Sequence, residues 1–321
     1  MIGLVGVRDL TVVHDGRQVL AVPSLDIHEE AHVAVVGPNG SGKSTLLRVL
    51  ALLQRPTTGT VLVRGEAAPV RGRDALALRR RFAVVLQNTP LCDTTVYRNV
   101  ALGLGFRGVT GPDADGRIRV WLDRFGIGHL AERHARSLSG GEAQRTGLAR
   151  AFVLDPEVLF LDEPFAALDA PSRDSLLNDL ELILREARTT VVTVTHDREE
   201  AARLADALVV LVNGAVRAAG PKDEVFQHPP NREAAELLGF TVLPVNGRAV
   251  AVPPGALGLG DGVMRFAMTV ERVVEFGYER RIRGRVGDVT VEVGLPADCP
   301  PPVAGARITI AAARAVPIGG G

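Results

Sequence analysis

The chemistry this chain can perform is first legible in Gly37-Pro38-Asn39-Gly40-Ser41-Gly42-Lys43-Ser44-Thr45. The stretch follows the apolar run Val33-Ala34-Val35-Val36 and precedes Leu46-Leu47-Arg48-Val49-Leu50, which continues at helical spacing. Strand, glycine-rich turn and helix, in that order, make a cradle for phosphate. Glycines let successive backbone N–H groups face one anion, the helix start adds partial positive charge, Lys43 reaches the outer phosphates, and Ser44 is placed to ligate Mg²⁺. Two further candidates close the apolar run Val158-Leu159-Phe160-Leu161. Asp162 is suited to hold Mg²⁺, directly or through its water, and Glu163 to polarise an attacking water as general base. Two acids merely capping a strand would be the plainer reading of an isolated pair; the phosphate loop upstream argues for chemistry.

The elements that must position these groups are readable around them. Residues 4–13 and 25–36 read as strands leading into the loop, with Asp15-Gly16 as a turn between them, an antiparallel lead-in. Past the first helix, Arg55-Pro56-Thr57-Thr58-Gly59 ends the helical pattern; strand resumes over 60–63 before the Arg64-Gly65 turn, and 82–86 is another buried strand. The arginines between Arg71 and Arg81 read as a solvated helix face, a basic ligand site being the other reading. Helices take over from 99 to 136, where Ile118, Trp121, Leu122 and Phe125 recur at helical spacing until Gly126 and Gly128 stop the run. The runs 158–161, 190–195 and 208–212 are short and rich in β-branched residues, the pattern of parallel strands buried on both faces. Between the first two, Leu176, Leu177, Leu180, Ile183, Leu184 and Ala187 form one stripe of an amphipathic helix. Asn213-Gly214 then marks a tight hairpin turn. Beyond Pro229-Pro230 and a short helix near 234–238, the pattern from Phe240 onward is short alternating strands with frequent Gly and Pro.

Composition narrows the function. A chain of 321 residues accommodates one large core plus a smaller module. Lys and Arg number 37 against 37 Asp and Glu, so no electrostatic footprint for nucleic acid is present. Cys92 and Cys299 lie far apart without metal-ligand spacing, as expected in a reduced compartment. No apolar stretch reaches the roughly 18–20 residues that span a bilayer, and the N-terminus lacks a secretory pattern. Any membrane role is therefore expected to come through a partner.

Leu138-Ser139-Gly140-Gly141-Glu142-Ala143-Gln144 matches the signature motif of the ATP-binding cassette (ABC) ATPases and lies upstream of Asp162-Glu163 in that family's order. Gln87 falls at the family's Q-loop position, Ala167-Leu168-Asp169 resembles its D-loop, and His196 resembles its switch histidine. The resemblance covers residues 1–239. It implies an α/β P-loop NTPase of ABC type, with a parallel core sheet, an antiparallel β lead-in and a helical subdomain, using ATP and Mg²⁺. It further implies that Gln87 and His196 join Glu163 in catalysis, and that Gln87 joins Ser44 and Asp162 at the metal. Ser139, Gly140, Gly141 and Glu142 stand at a helix start, where hydroxyl and N–H groups form a second anion site. In the family's arrangement that site meets the nucleotide of another copy, in a head-to-tail homodimer or paired cassette. Four positions depart from the family pattern. His14 stands where an aromatic ring usually stacks on adenine, offering a smaller face and a titratable charge. Glu30 replaces a turn glycine, with Ala31 in place of the following Glu, and Ala166 replaces the common D-loop serine.

Within such a family, repair and chromosome proteins insert a long coiled coil between phosphate loop and signature; the segment 46–137 is too short and has no sustained heptads. A single cassette sets the chain apart from the two-cassette ribosome-associated members, and the lack of fused membrane helices from exporters. The resemblance then implies a separate ATPase subunit at the cytoplasmic face of the membrane, docked on integral permease subunits and served by a solute-binding protein, with no nucleic-acid partner. Strands expected over 270–276, 283–293 and 308–313 resemble, in pattern and position, the transport-associated OB-type domain of bacterial importer ATPases. The implied division is a cassette at 1–239 and a small all-β OB-like regulatory domain at 240–321. Its single domain and the Gly141-Glu142-Ala143-Gln144-Arg145 variant most resemble tungstate or molybdate importers. Arg281, Arg283 and Arg285 would share one strand face, read as solvated, with an anion-binding stripe as the other reading. A function of another class, a soluble regulatory or scaffolding ABC ATPase without a permease, is the alternative.

Overall fold

Asp15 and Gly16, at φ 49° and 75°, close the hairpin between β1 (Val5–His14) and β2 (Arg17–Ile27). Positive φ at both central residues gives a turn whose twist matches that of the strands. The structure, a computed structural model, describes residues 3–318 except Asn88 and Tyr278. It divides into two compact units, 1–222 and 223–321.

In the first unit, the single strand expected over 25–36 is two strands in two sheets. β2 starts directly after the Asp15-Gly16 turn and ends at Ile27; the chain then turns through Glu30, at φ 58°, and restarts as β3 (His32–Val36). The break has a physical cause. The Glu30 N–H donates to Thr190 Oγ1 and the Ala31 N–H to the His28 carbonyl, which takes these groups out of any ladder. Next come α1 (Lys43–Leu50), β4 (Thr58–Val63) and β5 (Glu66–Ala67), the strands completing an antiparallel sheet in the order β2-β1-β4-β5. α2 (Gly72–Arg79) buries Ala75 and Leu78 and leaves Arg71, Arg73 and Arg80 beside it in solvent, a solvated face.

The core sheet has the order β10-β9-β3-β8-β7-β6. It is assembled from β6 (Phe82–Val85), then, past the helices α3 (Val96–Phe106), α4 (Pro112–Arg124) and α5 (Gly140–Phe152), from β7 (Val158–Asp162). α6 (Ala170–Glu186), β8 (Thr190–Thr195), α7 (Arg198–Leu204), β9 (Ala207–Val212) and β10 (Ala215–Pro221) follow. Ladders from β9 to β6 are parallel, and only β10 turns back, around Asn213-Gly214. Strand alternation divides β7 between two cores. Phe160 packs with Val5, Leu20, Leu46 and Leu47 on one side, whereas Leu159 and Leu161 pack with Leu122, Phe125, Leu148 and Leu180 on the other. Each such burial stabilises by about 1.5–3 kcal/mol. Ala187, expected on the apolar stripe of α6, is its C-cap instead.

The second unit begins within α8 (Lys222–Gln227) and contains α9 (Arg232–Leu237) and the strands β11 (Thr241–Val245), β12 (Arg248–Val252), β13 (Leu257–Gly258), β14 (Met264–Phe276), β15 (Glu279–Val286), β16 (Val289–Leu295), β17 (Arg307–Ala312) and β18 (Val316–Pro317). Sheets β11-β12-β18 and β13-β17-β14-β15-β16 share one core, in which Leu243 and Val252 meet Phe266, Met268, Ile282 and Ile310. This near-barrel is compatible with the OB-like class. The stretch 283–293, expected as strand, is a hairpin that turns at Gly287, φ 59°. Arg281 and Arg283 stand among carboxylates, Arg281 Nε 3.0 Å from Glu279 and Arg283 3.8 and 3.9 Å from Glu271 and Glu292. The arginine face is thus charge-paired and solvated.

α5 packs tightly on the segment after β6, where a Cβ at Gly147 would run into Thr89 Cγ2. For Gly147→Ala, overpacking of about 1–3 kcal/mol opposes a helix-propensity gain of about 1 kcal/mol. A net loss of roughly 1 kcal/mol is expected in denaturant melts, and Thr89→Ser, which removes the offending methyl, is expected to restore at least wild-type stability in the double variant.

Candidate active site

α1 begins one residue after Gly42, whose φ of 98° suits glycine and whose added Cβ would stand 2.8 Å from the Val19 carbonyl oxygen. No side chain caps this helix, so its first N–H groups are left for an anion. Lys43 is 5% exposed; Nζ donates to the carbonyls of Gly37 (2.9 Å) and Pro38 (3.2 Å) and lies 3.8 Å from Glu163 Oε1. Burial holds the lysine below its ordinary pKa, while Glu163 and Asp162 pull it back up. Ser41 Oγ is buried and has no hydrogen-bond partner among the described residues. A desolvated cation, an orphan hydroxyl and uncapped N–H groups together fit a polyphosphate.

Ser44 Oγ donates to Asp162 Oδ1 at 2.7 Å. A hydroxyl and a buried carboxylate side by side are hard oxygen donors, the kind Mg²⁺ takes one or two of while keeping water and substrate phosphate as its other ligands. The donor set therefore fits that ion. Glu163, next along the chain, adopts φ 46°, in the left-handed region rarely used by non-glycine residues, as its N–H bonds the Val194 carbonyl at 2.9 Å. Its carboxylate spans the cleft from Lys43 to His196, whose Nδ1 is 3.0 Å from Glu163 Oε2. The cleft holds about 680 Å³, and Asn39, Gly40, Thr45, Gln87 and Ala166 line it together with Gly42, Lys43, Ser44, Glu163 and His196.

Some expected residues lie elsewhere. His14, at the end of β1, is exposed, with Nε2 3.1 Å from Gln54 Nε2, and does not line the cleft; Val19 does. Nothing local in the sequence marks Val19, since its place depends on the hairpin register. Ser139, Gly140, Gly141 and Glu142 are also outside the lining. They start α5 as a capping box, Ser139 Oγ accepting from the Glu142 N–H (3.3 Å) and Glu142 Oε2 from the Ser139 N–H (2.7 Å). A Cβ on Gly141 would touch Ser172 at 3.5 Å, so this start lies beside that of α6, where Asp169 accepts from the Ser172 N–H at 3.0 Å. Asp169 and the signature residues thus share a second location.

The Gln87 segment is tied to α5 through Thr89, whose Oγ1 is 2.9 Å from Gln144 Oε1 and 3.2 Å from the Leu86 carbonyl. One hydroxyl proton cannot serve two acceptors, and Gln144 Nε2 is buried without a partner among the described residues.

The family described as ABC transporter matches residues 20–166. The chain is 39% identical over 264 residues to the Fe(3+) ions import ATP-binding protein of Streptomyces avermitilis, covering 81% of this chain and 75% of that protein. It is 35% identical over 246 residues to the molybdate/tungstate import ATP-binding protein of Thermococcus kodakarensis, 73% of each. With the sulfate/thiosulfate import ATP-binding protein of Thermosynechococcus vestitus the identity is 39% over 282 residues, 82% of each. Among solved structures, cbiO1 from Clostridium perfringens, part of the ABC transporter complex cbiONQ, superposes with TM-score 0.64 at 27% identity, over 74% of this chain and 94% of that one. The ATP-binding cassette MJ0796, a dimer in a post-hydrolysis state bound to ADP and Pi, gives TM-score 0.61 at 30% identity, over 68% and 98%.

The capping box makes a pH-dependent contribution. Acceptance of the Ser139 N–H holds the Glu142 carboxyl below its ordinary value of 4.5, so its stabilisation is present above that value and is lost as pH falls through the folded-state pKa. Glu142→Ala is expected to cost about 1 kcal/mol at neutral pH, and the gap to wild type in thermal melts to narrow once the pH drops below 4.5.

Proposed function

This chain belongs to the ABC transporter family and is an ATPase, and we propose that it is the ATP-hydrolysing subunit of an importer for a small inorganic ion, tungstate or molybdate first among them. The observation that carries the reading is the meeting of Lys43, Ser44, Glu163 and His196 around one cleft, with Asp162 bonded to Ser44 behind it. Three named relatives import iron, molybdate or tungstate, and sulfate or thiosulfate; that spread supports an inorganic solute, most often a tetrahedral oxyanion. An ATPase that works without a permease has no observation in its favour.

In the proposed mechanism, the triphosphate lies on the loop 37–45, with Lys43 on its outer phosphates and backbone N–H groups around them. Ser44, Asp162 and Gln87 would hold Mg²⁺, which when bound offsets charge on the phosphate oxygens. Glu163 takes a proton from water as the water oxygen bonds to the γ-phosphorus and the bond to ADP breaks. His196, braced on Glu163, steadies the γ-phosphate oxygens. Ser139, Gly140, Gly141, Glu142 and Asp169 act on the nucleotide of a second copy, so closure of a head-to-tail dimer completes both sites and drives the permease through its conformational step. Among the described residues no helix is long and apolar enough to cross a membrane. The proposed location is the cytoplasmic face, on permease subunits supplied by a solute-binding protein, and the OB-like strands from Phe240 onward are the proposed regulatory domain.

Phosphate-release assays on Glu163→Gln are expected to show turnover lower by at least about 10²-fold, with ATP still bound and an ATP-stabilised dimer in light scattering; wild-type turnover would remove the general base. Lys43→Ala is expected to weaken ATP binding by roughly 10-fold to 100-fold, as loss of a charged hydrogen bond would. Unchanged affinity in equilibrium titration would refute its place on the phosphates.

A further inference from the structure

We propose that Arg173 and Glu200 are positioning residues for His196: they clamp the residues on both sides of it and tie that turn to the start of α6, where Asp169 lies. This inference rests on the role proposed above for His196.

Glu200 is only 5% exposed although it is a carboxylate, and burial pushes its pKa up. Its Oε2 accepts from Thr195 Oγ1 and its Oε1 from Arg173 Nε, the latter at 2.9 Å. Thr195 Oγ1 in turn accepts from the Asp197 N–H at 3.0 Å. Asp197 Oδ1 accepts from the N–H groups of Glu199 and Glu200 at 2.8 and 3.1 Å, which caps α7. Arg173 Nη2 stands 2.6 Å from Asp197 Oδ2, an ion pair without the alignment of a hydrogen bond. The two neighbours of His196, Thr195 and Asp197, are therefore both held, whereas the histidine itself is 55% exposed and its ring is braced on Glu163.

The same cluster reaches Asp169. Arg173 lies in the first turn of α6, its N–H bonded to the Asp169 carbonyl at 2.9 Å, and the Asp169 side chain caps that helix. Glu163 and Asp169 are the two ends of one loop, tightened by a bond of 3.2 Å from the Ala166 N–H to the Glu163 carbonyl. A closed circuit results. It runs from Glu163 to the His196 ring, through the backbone to Thr195 and Asp197, across Glu200 and Arg173 to α6, and along the loop back to Glu163. Movement of Asp169 must shift Arg173 and with it the turn that carries His196. Stability alone does not call for such a cluster, because well-packed apolar residues commonly replace a buried ion pair at no loss. What a charged and directional cluster supplies is a fixed geometry.

The test is a double-variant cycle on the full-length protein. Glu200→Gln is expected to lower kcat for ATP about tenfold with KM changed less than about twofold, the signature of a displaced group. In a His196→Ala background the same substitution should change kcat less than about twofold, while its shift in Tm stays the same in both backgrounds. An equal kcat loss in both backgrounds, or no loss in the wild-type background, overturns the proposal. Thr195→Val, which removes only the hydroxyl, must follow the same pattern. A readout free of turnover is the imidazole NMR signal of His196, assigned by its disappearance in His196→Ala. It should shift in nucleotide-free Glu200→Gln and Thr195→Val, and an unmoved signal also overturns the proposal. Should His196→Ala hydrolyse ATP like wild type, the catalytic reading of His196 fails, and the imidazole signal still judges the clamp.

Discussion

The hydrogen bond from Ser44 to Asp162 joins residues 118 positions apart, and the rest of the cassette is arranged to make it possible. Ser44 belongs to the helix after β3 and Asp162 ends β7, so the two meet only if both strands run parallel and finish at the same edge of the sheet. β8 lies between them, in parallel register with each. A crevice beyond the carboxyl ends of parallel strands is where this class of sheet brings loops together. The strand order is therefore the condition for the cleft.

β7 shows how packing enforces that condition. Its alternating side chains enter two cores, and its residues are fully or almost fully buried. A register slip of one residue would send Phe160 into the helical side and the leucines into the other. Asp162 and Glu163 are consequently delivered to the cleft by a strand that has little freedom to move. Glu163 then leaves the strand through a left-handed conformation, a local strain that the surrounding bonds to Val194 and His196 over-determine.

Much of this was legible in the sequence, and the rest was hidden for identifiable reasons. The phosphate loop is a local pattern, so its glycines, Lys43 and Ser44 carry their meaning in nine consecutive residues. Central strands announced themselves through β-branched runs such as 190–195 because burial on both faces leaves no polar alternation. The strand pattern over 25–36 missed the break, which only the family resemblance marked with a turn position at Glu30, because Glu30 takes a glycine-like conformation without being glycine, held there by a threonine 160 residues away. The hairpin inside 283–293 did carry a signal, the Gly287-Asp288 pair, which alternation on both sides masked. His14 and Val19 were indistinguishable by spacing, since the register of one hairpin and the Gln54 contact decide which faces the cleft. Arg173 and Glu200 gave no warning at all: each looks like a surface charge on an amphipathic helix until tertiary structure buries Glu200 and pairs Arg173 with it.

Charge burial follows a common logic across the cassette. Lys43 and Glu200 are both desolvated, one held below and the other above its ordinary pKa, and each is therefore locally unfavourable to the folded state. Among the described residues, Lys43 Nζ donates to backbone carbonyls, with the nearest carboxylate oxygen at 3.8 Å, so its charge is left under-compensated for an incoming phosphate. Glu200 is the opposite case, its two carboxylate oxygens each held by a partner, Thr195 Oγ1 on one and Arg173 Nε on the other. A buried charge left short of partners favours binding of the opposite charge, while one saturated with directional partners resists displacement. The first kind belongs where substrate must enter, the second where geometry must be kept: Lys43 reaches the Glu163–His196 contact through Glu163, and Glu200 reaches it through Thr195.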